Sequence, residues 1–151
     1  MWRHRAIFLC RTCAGLGILA ALPAALSGCS AAGGASATPP AKSVRVDERD
    51  FRIGAPTELR AGRATFTVHN RGPDAHELIV VREHGDELPL RSDGLTIDED
   101  AVQRDEAGAL EPGRPGSVRT LTVRLTPGRY VLFCNMSGHY LGGMDHDVVV
   151  R

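Results

Sequence analysis

Cys134-Asn135-Met136-Ser137-Gly138-His139-Tyr140-Leu141-Gly142-Gly143-Met144 lies between two apolar, strand-like runs near the end of a chain of 151 residues. It spells Cys-x4-His-x4-Met. A thiolate, an imidazole and a thioether in one short loop form a soft donor set, which suits copper better than calcium, magnesium or manganese. The copper geometry built from such donors takes two imidazoles, one thiolate and a weak axial thioether. A second His is therefore needed at the end of a strand, and Asp74-Ala75-His76-Glu77-Leu78-Ile79-Val80-Val81 offers one, with a turn before it and an apolar run after it. His76, Cys134, His139 and Met144 are the candidate metal ligands, and Met136 is the next candidate for the axial place. Taken singly, a Cys reads as a small buried hydrophobe, a Met in a Gly-rich loop as filler and a His as a surface residue. Their order and setting together favour the metal site.

This order of residues resembles the cupredoxins, the small blue-copper proteins, over roughly residues 43 to 151, with a ligand loop most similar to that of rusticyanin and sulfocyanin. The resemblance implies a single type 1 copper held by His76, Cys134, His139 and axial Met144. It also implies that His139 presents a ring edge through an apolar patch, with Tyr140, Leu141, Gly142 and Gly143 as the flanking residues, and that electrons pass there. Many cupredoxins carry Asn or Ser after the first His; Glu77 stands in that place here.

The strands around these motifs are legible from period-two alternation. Val44 and Val46 alternate with Arg45, and Phe51 and Ile53 with Arg52, which predicts a first strand with an irregularity around Asp47 to Asp50. Ala64, Phe66 and Val68 face one way; Thr65, Thr67 and His69 face the other, towards solvent. Asn70-Arg71-Gly72-Pro73-Asp74 is turn chemistry, and the continuous run Leu78 to Val81 predicts a strand covered on both faces. Residues 82 to 117 offer two readings: a short helix opening at Asp98-Glu99-Asp100 and ended by Gly108, or an irregular polar excursion. His84 takes no role in either. Ser117 to Leu125, Arg129 to Cys134 and Asp147 to Val150 complete an all-β pattern. The expected fold is a Greek-key β-sandwich or barrel of seven to eight strands, in which residues far apart in sequence become neighbours.

The N-terminus is of another kind. Arg3, Arg5 and Arg11 precede an apolar stretch from Ala14 to Leu26, and Leu26-Ser27-Gly28-Cys29 closes it. This reads as a secretory signal peptide over 1–28, too short and interrupted for a stable membrane span. Leu-Ser-Gly-Cys resembles the lipobox of bacterial lipoproteins, which implies lipid attachment at Cys29. Residues 29–43, rich in Ala, Gly, Ser, Thr and Pro, read as a flexible tether, and 44–151 as the copper-binding domain. Cys10-Arg11-Thr12-Cys13 falls inside the signal and is incidental. Processing then leaves Cys134 as the one thiol of the domain, unable to form an internal disulfide. It also removes three of the 18 basic residues and none of the 18 acidic ones, leaving 15 against 18, a net charge of −3. No basic patch points to nucleic acid.

The expectation is a monomeric, lipid-anchored, extracytoplasmic carrier of single electrons, serving a redox partner such as a membrane complex, and not an enzyme. The competing reading is a copper protein for storage, delivery or resistance. The chain has no His-x-His pair for a multinuclear oxidase and no Cys-x-x-Cys-His for c-type haem. A Cys134/His139 nucleophile and base would leave Met144 and His76 without explanation.

Overall fold

The computed structural model describes residues 41–151. The expected signal peptide, Cys29 and nearly all of the tether lie outside the described residues. Two sheets pack face to face. The first has the order β2-β1-β4-β7, from β1 (Lys42–Arg49), β2 (Arg52–Gly54), β4 (Gly62–Asn70) and β7 (Val118–Leu125). The second runs β3-β9-β8-β5-β6, from β3 (Glu58–Leu59), β5 (His76–Glu83), β6 (Glu106–Gly113), β8 (Gly128–Phe133) and β9 (Asp145–Val150). The sandwich is as expected; the very short β2 and β3 bring its strands to nine.

Alternation decides what lies between the sheets. Val44 and Val46 of β1, Phe66 and Val68 of β4 and Val123 and Leu125 of β7 meet Leu78 and Val80 of β5 and Leu132 of β8. Thr65 and Thr122 face outward and share a 2.9 Å hydroxyl contact across the β4–β7 pair. β5 is buried along both faces, as its unbroken apolar run requires: Ile79 and Val81 belong to a second cluster with Ile97, Val102, Val131 and Phe133.

That second cluster gives residues 84–105 their purpose, since this excursion carries Ile97 and Val102 onto the outer face of the five-stranded sheet. Its helix, α1 (Glu99–Val102), is a single turn with acidic residues at its start. Gly108 does not end it. The chain is already in β6 by Glu106, and Gly108 pairs with Val80 of β5. Two Ala, two Gly and a Pro give β6 little intrinsic strand preference. It forms because β5 offers a free side for pairing, and its edge place tolerates Pro112.

In place of one strand with an irregularity at Asp47 to Asp50, the segment forms two strands joined by a tight turn at residues 50–51, and the alternation of β1 runs unbroken through Glu48. β1 ends at Arg49 and β2 returns antiparallel to it, with Glu48 opposite Ile53. β1 also begins at Lys42, two residues before the alternation becomes visible at Val44. It pairs parallel with β4, Glu48 opposite Asn70, so the turn at residues 50–51 lies beside the turn that delivers His76.

At this end of the sandwich the inward positions are not all apolar. Glu48 follows Val44 and Val46 inward and is fully buried, and Arg119 of β7 reaches its Oε2 at 2.8 Å. Burial pushes the Glu48 carboxyl up to about 7 despite Arg119. A raised acid pKa contributes stability that is complete below about 4.5 and lost as the pH rises through 7. Arg119→Leu, which strands the carboxylate, should therefore cost about 3 kcal/mol in urea unfolding at pH 8, and less at pH 5, where Glu48 takes up a proton. Replacing both residues by Leu should recover most of the loss; a double variant as weak as the single one would contradict this account of the pair.

Candidate metal centre

Three of the four expected ligands, His76, Cys134 and His139, bring their donor atoms together. His76 opens β5, Cys134 directly follows the end of β8, and Met144 directly precedes β9. The Cys134 N–H donates to the Met144 carbonyl at 3.1 Å, which closes the ligand loop at its base. Within the loop the chain winds tightly: the N–H of His139 donates to Met136 O at 2.8 Å, that of Gly143 to Tyr140 O at 2.9 Å and that of Met144 to His139 O at 3.0 Å. Gly138 (φ 79°) and Gly143 (φ 92°) supply the left-handed residues that such winding needs.

The donor atoms of His76, Cys134 and His139 lie within 4.8 Å of one another. His76 Nδ1 is 4.0 Å and His139 Nδ1 3.6 Å from Cys134 Sγ. An ion bound by thiolate and imidazole at distances typical of zinc, in a trigonal plane, sets nitrogen and sulfur about 3.7 Å apart, so the spacing fits a first-row metal ion. The donor chemistry, one thiol, two imidazoles and a neighbouring thioether, is a set that suits copper. His76, Cys134 and Met144 are fully buried and His139 is 9% exposed. Met144 is tied by backbone hydrogen bonds to both Cys134 and His139, and its side chain shares the core cluster with Cys134. Met136, the other axial candidate, is half-buried.

Burial pushes the Cys134 thiol up to about 11, opposed by backbone N–H groups of Glu77 and Met136. A metal taking the thiolate must displace that proton. Burial also holds the His76 imidazole below its usual range, against the pull of the Asp50 carboxylate. A neutral ring is the form that ligates. Glu77 is half-buried; desolvation, and then the charge of Glu99, raise its carboxyl to about 6, while the Asn135 N–H lowers it. Glu77 thus places a half-buried carboxyl next to His76 and near Asn135 of the ligand loop.

Of the residues expected to flank His139, Leu141 is half exposed, whereas Tyr140 turns inward, edge-on to Phe133 with ring centroids 5.7 Å apart. Two neighbours were not legible in the sequence. Phe51, from the β1–β2 turn, is 48% exposed and meets the His139 ring edge-on at 5.1 Å. Asp50 Oδ1 is 2.7 Å from His76 Nε2. The irregularity expected around Asp47 to Asp50 was the only trace of either in the sequence. His69 and His84 stay out of the site, as expected: His69 points outward from β4, and the exposed His84 contacts Asp105 at 2.9 Å.

No protein-family model and no curated protein matches the sequence. Solved structures do match in fold. Auracyanin B is similar with a TM-score of 0.57 and 21% identity, over 74% of this chain and 90% of that one. The auracyanin of the photosynthetic bacterium Roseiflexus castenholzii gives 0.55 and 19%, over 74% and 98%. Auracyanin A of Chloroflexus aurantiacus, described as a "blue" copper protein, gives 0.51 and 16%, over 74% and 100%. Residues 41–151 have the cupredoxin fold of these proteins, with His76, Cys134, His139 and Met144 gathered at one end of the sandwich.

Proposed function

We propose that the protein binds one type 1 copper through His76, Cys134, His139 and axial Met144, and carries single electrons at the extracytoplasmic face of a membrane to which Cys29 anchors it. The observation that carries the reading is the buried cluster itself: two Nδ1 atoms and a thiol within ligand spacing on a cupredoxin frame. Bound copper would supply a one-electron couple. The chain's part is to hold three donors in place in both oxidation states and to exclude water, which the burial of Cys134, His76 and Met144 provides.

His139 is the route in and out. It is the least buried of the four ligands, and Phe51, Leu141 and Leu95, each about half exposed, form an apolar surface around its loop. Leu95 is tied there, its carbonyl accepting from the Gly138 N–H at 3.0 Å. A redox partner that covers this surface comes close to the ring without touching the metal. Burial also weighs against storage or delivery as the main role, because handing copper to an acceptor needs ligands that solvent or a partner can reach.

The domain should bind one Cu(II) and absorb strongly in the visible through thiolate-to-copper charge transfer. Cys134→Ser should abolish the colour, and a colourless copper complex of the folded wild type would contradict the type 1 site. Met144→Leu should keep copper bound and raise the reduction potential, since loss of a weak donor destabilises Cu(II) more than Cu(I); an unchanged potential would pass the axial role to Met136.

Among the described residues no helix is long and apolar enough to cross a membrane; the proposed attachment is carried by Leu26-Ser27-Gly28-Cys29. Cys29→Ala should move the protein from the membrane fraction to a soluble form or leave an unprocessed precursor. One acyl chain binds only reversibly, so a multiply acylated terminus is expected. Mass spectrometry of the mature N-terminus checks it, and an unmodified Cys29 would refute the anchor.

A further inference from the structure

The cluster accounts for one ring nitrogen of each His. On His76 the other nitrogen is equally constrained. Nε2 is buried on the side of the ring away from Cys134, and its polar neighbour is Asp50 Oδ1 at 2.7 Å, on a side chain only 16% exposed. The two atoms sit off the line of an ideal hydrogen bond, and neither has another partner. Two buried polar atoms without other partners would each cost free energy if separated.

The backbone around them is arranged for this approach. A Cβ on Gly72 would stand 2.5 Å from Asp50 Oδ1 and 2.5 Å from His76 Nε2. No side chain fits there. The glycine is itself held, its N–H donating to Asn70 Oδ1 at 2.9 Å, while Asn70 Nδ2 donates to the carbonyls of Asp74 and Gly113, each at 2.8 Å. Arg71 N–H donates to Glu48 O at 2.7 Å, which fastens the same turn to the end of β1, two residues before Asp50. A carboxylate from one turn, and a glycine and an imidazole from the turn beside it, are thus locked together.

We propose that Asp50 is the positioning residue for His76: its carboxylate keeps the proton on Nε2, leaves the Nδ1 lone pair for the metal, and makes the imidazole a stronger donor to Cu(II), and Gly72 is glycine to admit it. The copper part of this rests on the function proposed above. A carboxylate on the far nitrogen of a ligating His fixes the tautomer and raises the ligand's basicity. Because it adds negative charge beside the site, it favours Cu(II) over Cu(I). Asp50 is thereby assigned an effect on potential that a merely structural turn residue would not have.

Nitrogen NMR of the metal-free wild type tests the positioning without any copper: His76 Nε2 should carry a slowly exchanging proton. Exchange as fast as in an exposed imidazole, or a proton on Nδ1, would overturn the proposal even if the protein turns blue. A slow Nε2 proton in a protein that never turns blue would uphold the positioning while the copper reading fails. In the copper protein, Asp50→Ala and Gly72→Ala should weaken Cu(II) binding about ten- to hundredfold and shift the potential upward. Asp50→Asn, which keeps a hydrogen-bond acceptor and removes the charge, should hold the ring yet still raise the potential. Unchanged Cu(II) affinity and potential in folded Asp50→Ala and Gly72→Ala would overturn the tuning role, and the wild-type NMR result stands whether or not a variant folds.

Discussion

The site depends first on the register between β5 and β8. Ile79 faces Phe133 and Val80 faces Leu132, so one step further along the antiparallel pair Leu78 stands opposite Cys134. His76, Leu78 and Val80 share a parity on β5, as Leu132 and Cys134 do on β8, and all of these side chains are buried. A slip of β5 by one residue would turn His76, with Leu78 and Val80, to the outer face and take it away from Cys134. The slip is opposed by the apolar area on both faces, since Leu78 and Val80 would leave one core while Ile79 and Val81 left the other. The ligand geometry is in this sense a consequence of hydrophobic packing along β5. The β8–β9 register does the same for Met144: Phe133 pairs with Asp145, and the next pair outward is Cys134 with Met144.

The two histidines are held by different means. His76 is on a strand buried on both sides, with Asp50 behind its ring and Glu77 beside it. His139 lies in a loop, and its ring packs against the exposed Phe51 and, at 5.2 Å between centroids, against His76. The electron carrier proposed above would need both properties in one centre. The inner ligands must not move when the charge of the metal changes, whereas the outer one must be approachable. The Asp50-Phe51 turn serves both sides at once, because adjacent residues on it reach opposite histidines.

What could be read from the sequence was local. Three candidate ligands follow from donor chemistry and spacing within an eleven-residue loop, the fourth, His76, from its place at the head of an apolar run, and the faces of β4, β5 and β7 from alternation. Asp50, Phe51 and β6 could not be read because their positions are fixed by pairing between distant segments. Nothing in Asp50-Phe51 says that β1 will lie parallel to β4, which is what sets this turn against Gly72 and His76. Nothing in Glu106 to Gly113 announces a strand, since Gly108 and Pro112 argue against one and only the open side of β5 calls for it. Glu77 was visible as a departure from the cupredoxin pattern, yet its place near Asn135 of the ligand loop needed the folded chain to be seen.

The polar excursion between β5 and β6 also bears on the ligand loop. Asn135, next to Cys134, accepts from the Ile97 N–H at 2.6 Å and donates to the Ile97 carbonyl at 3.0 Å and to Glu99 Oε1 at 2.7 Å. Ile97 is fully buried against Val131 and Phe133 of β8 and Ile79 of β5. The excursion is therefore pinned at one point by apolar contact and polar pairing together, and the residue that does the pinning directly follows Cys134 in the ligand loop. Buried polar groups satisfied on every side resist displacement because each lost bond leaves an unpaired atom. Asn135 cannot shift without breaking its bonds to Ile97, and Cys134 cannot shift without Asn135. A segment with no ligand of its own thereby stiffens the loop that carries three of the four candidate ligands.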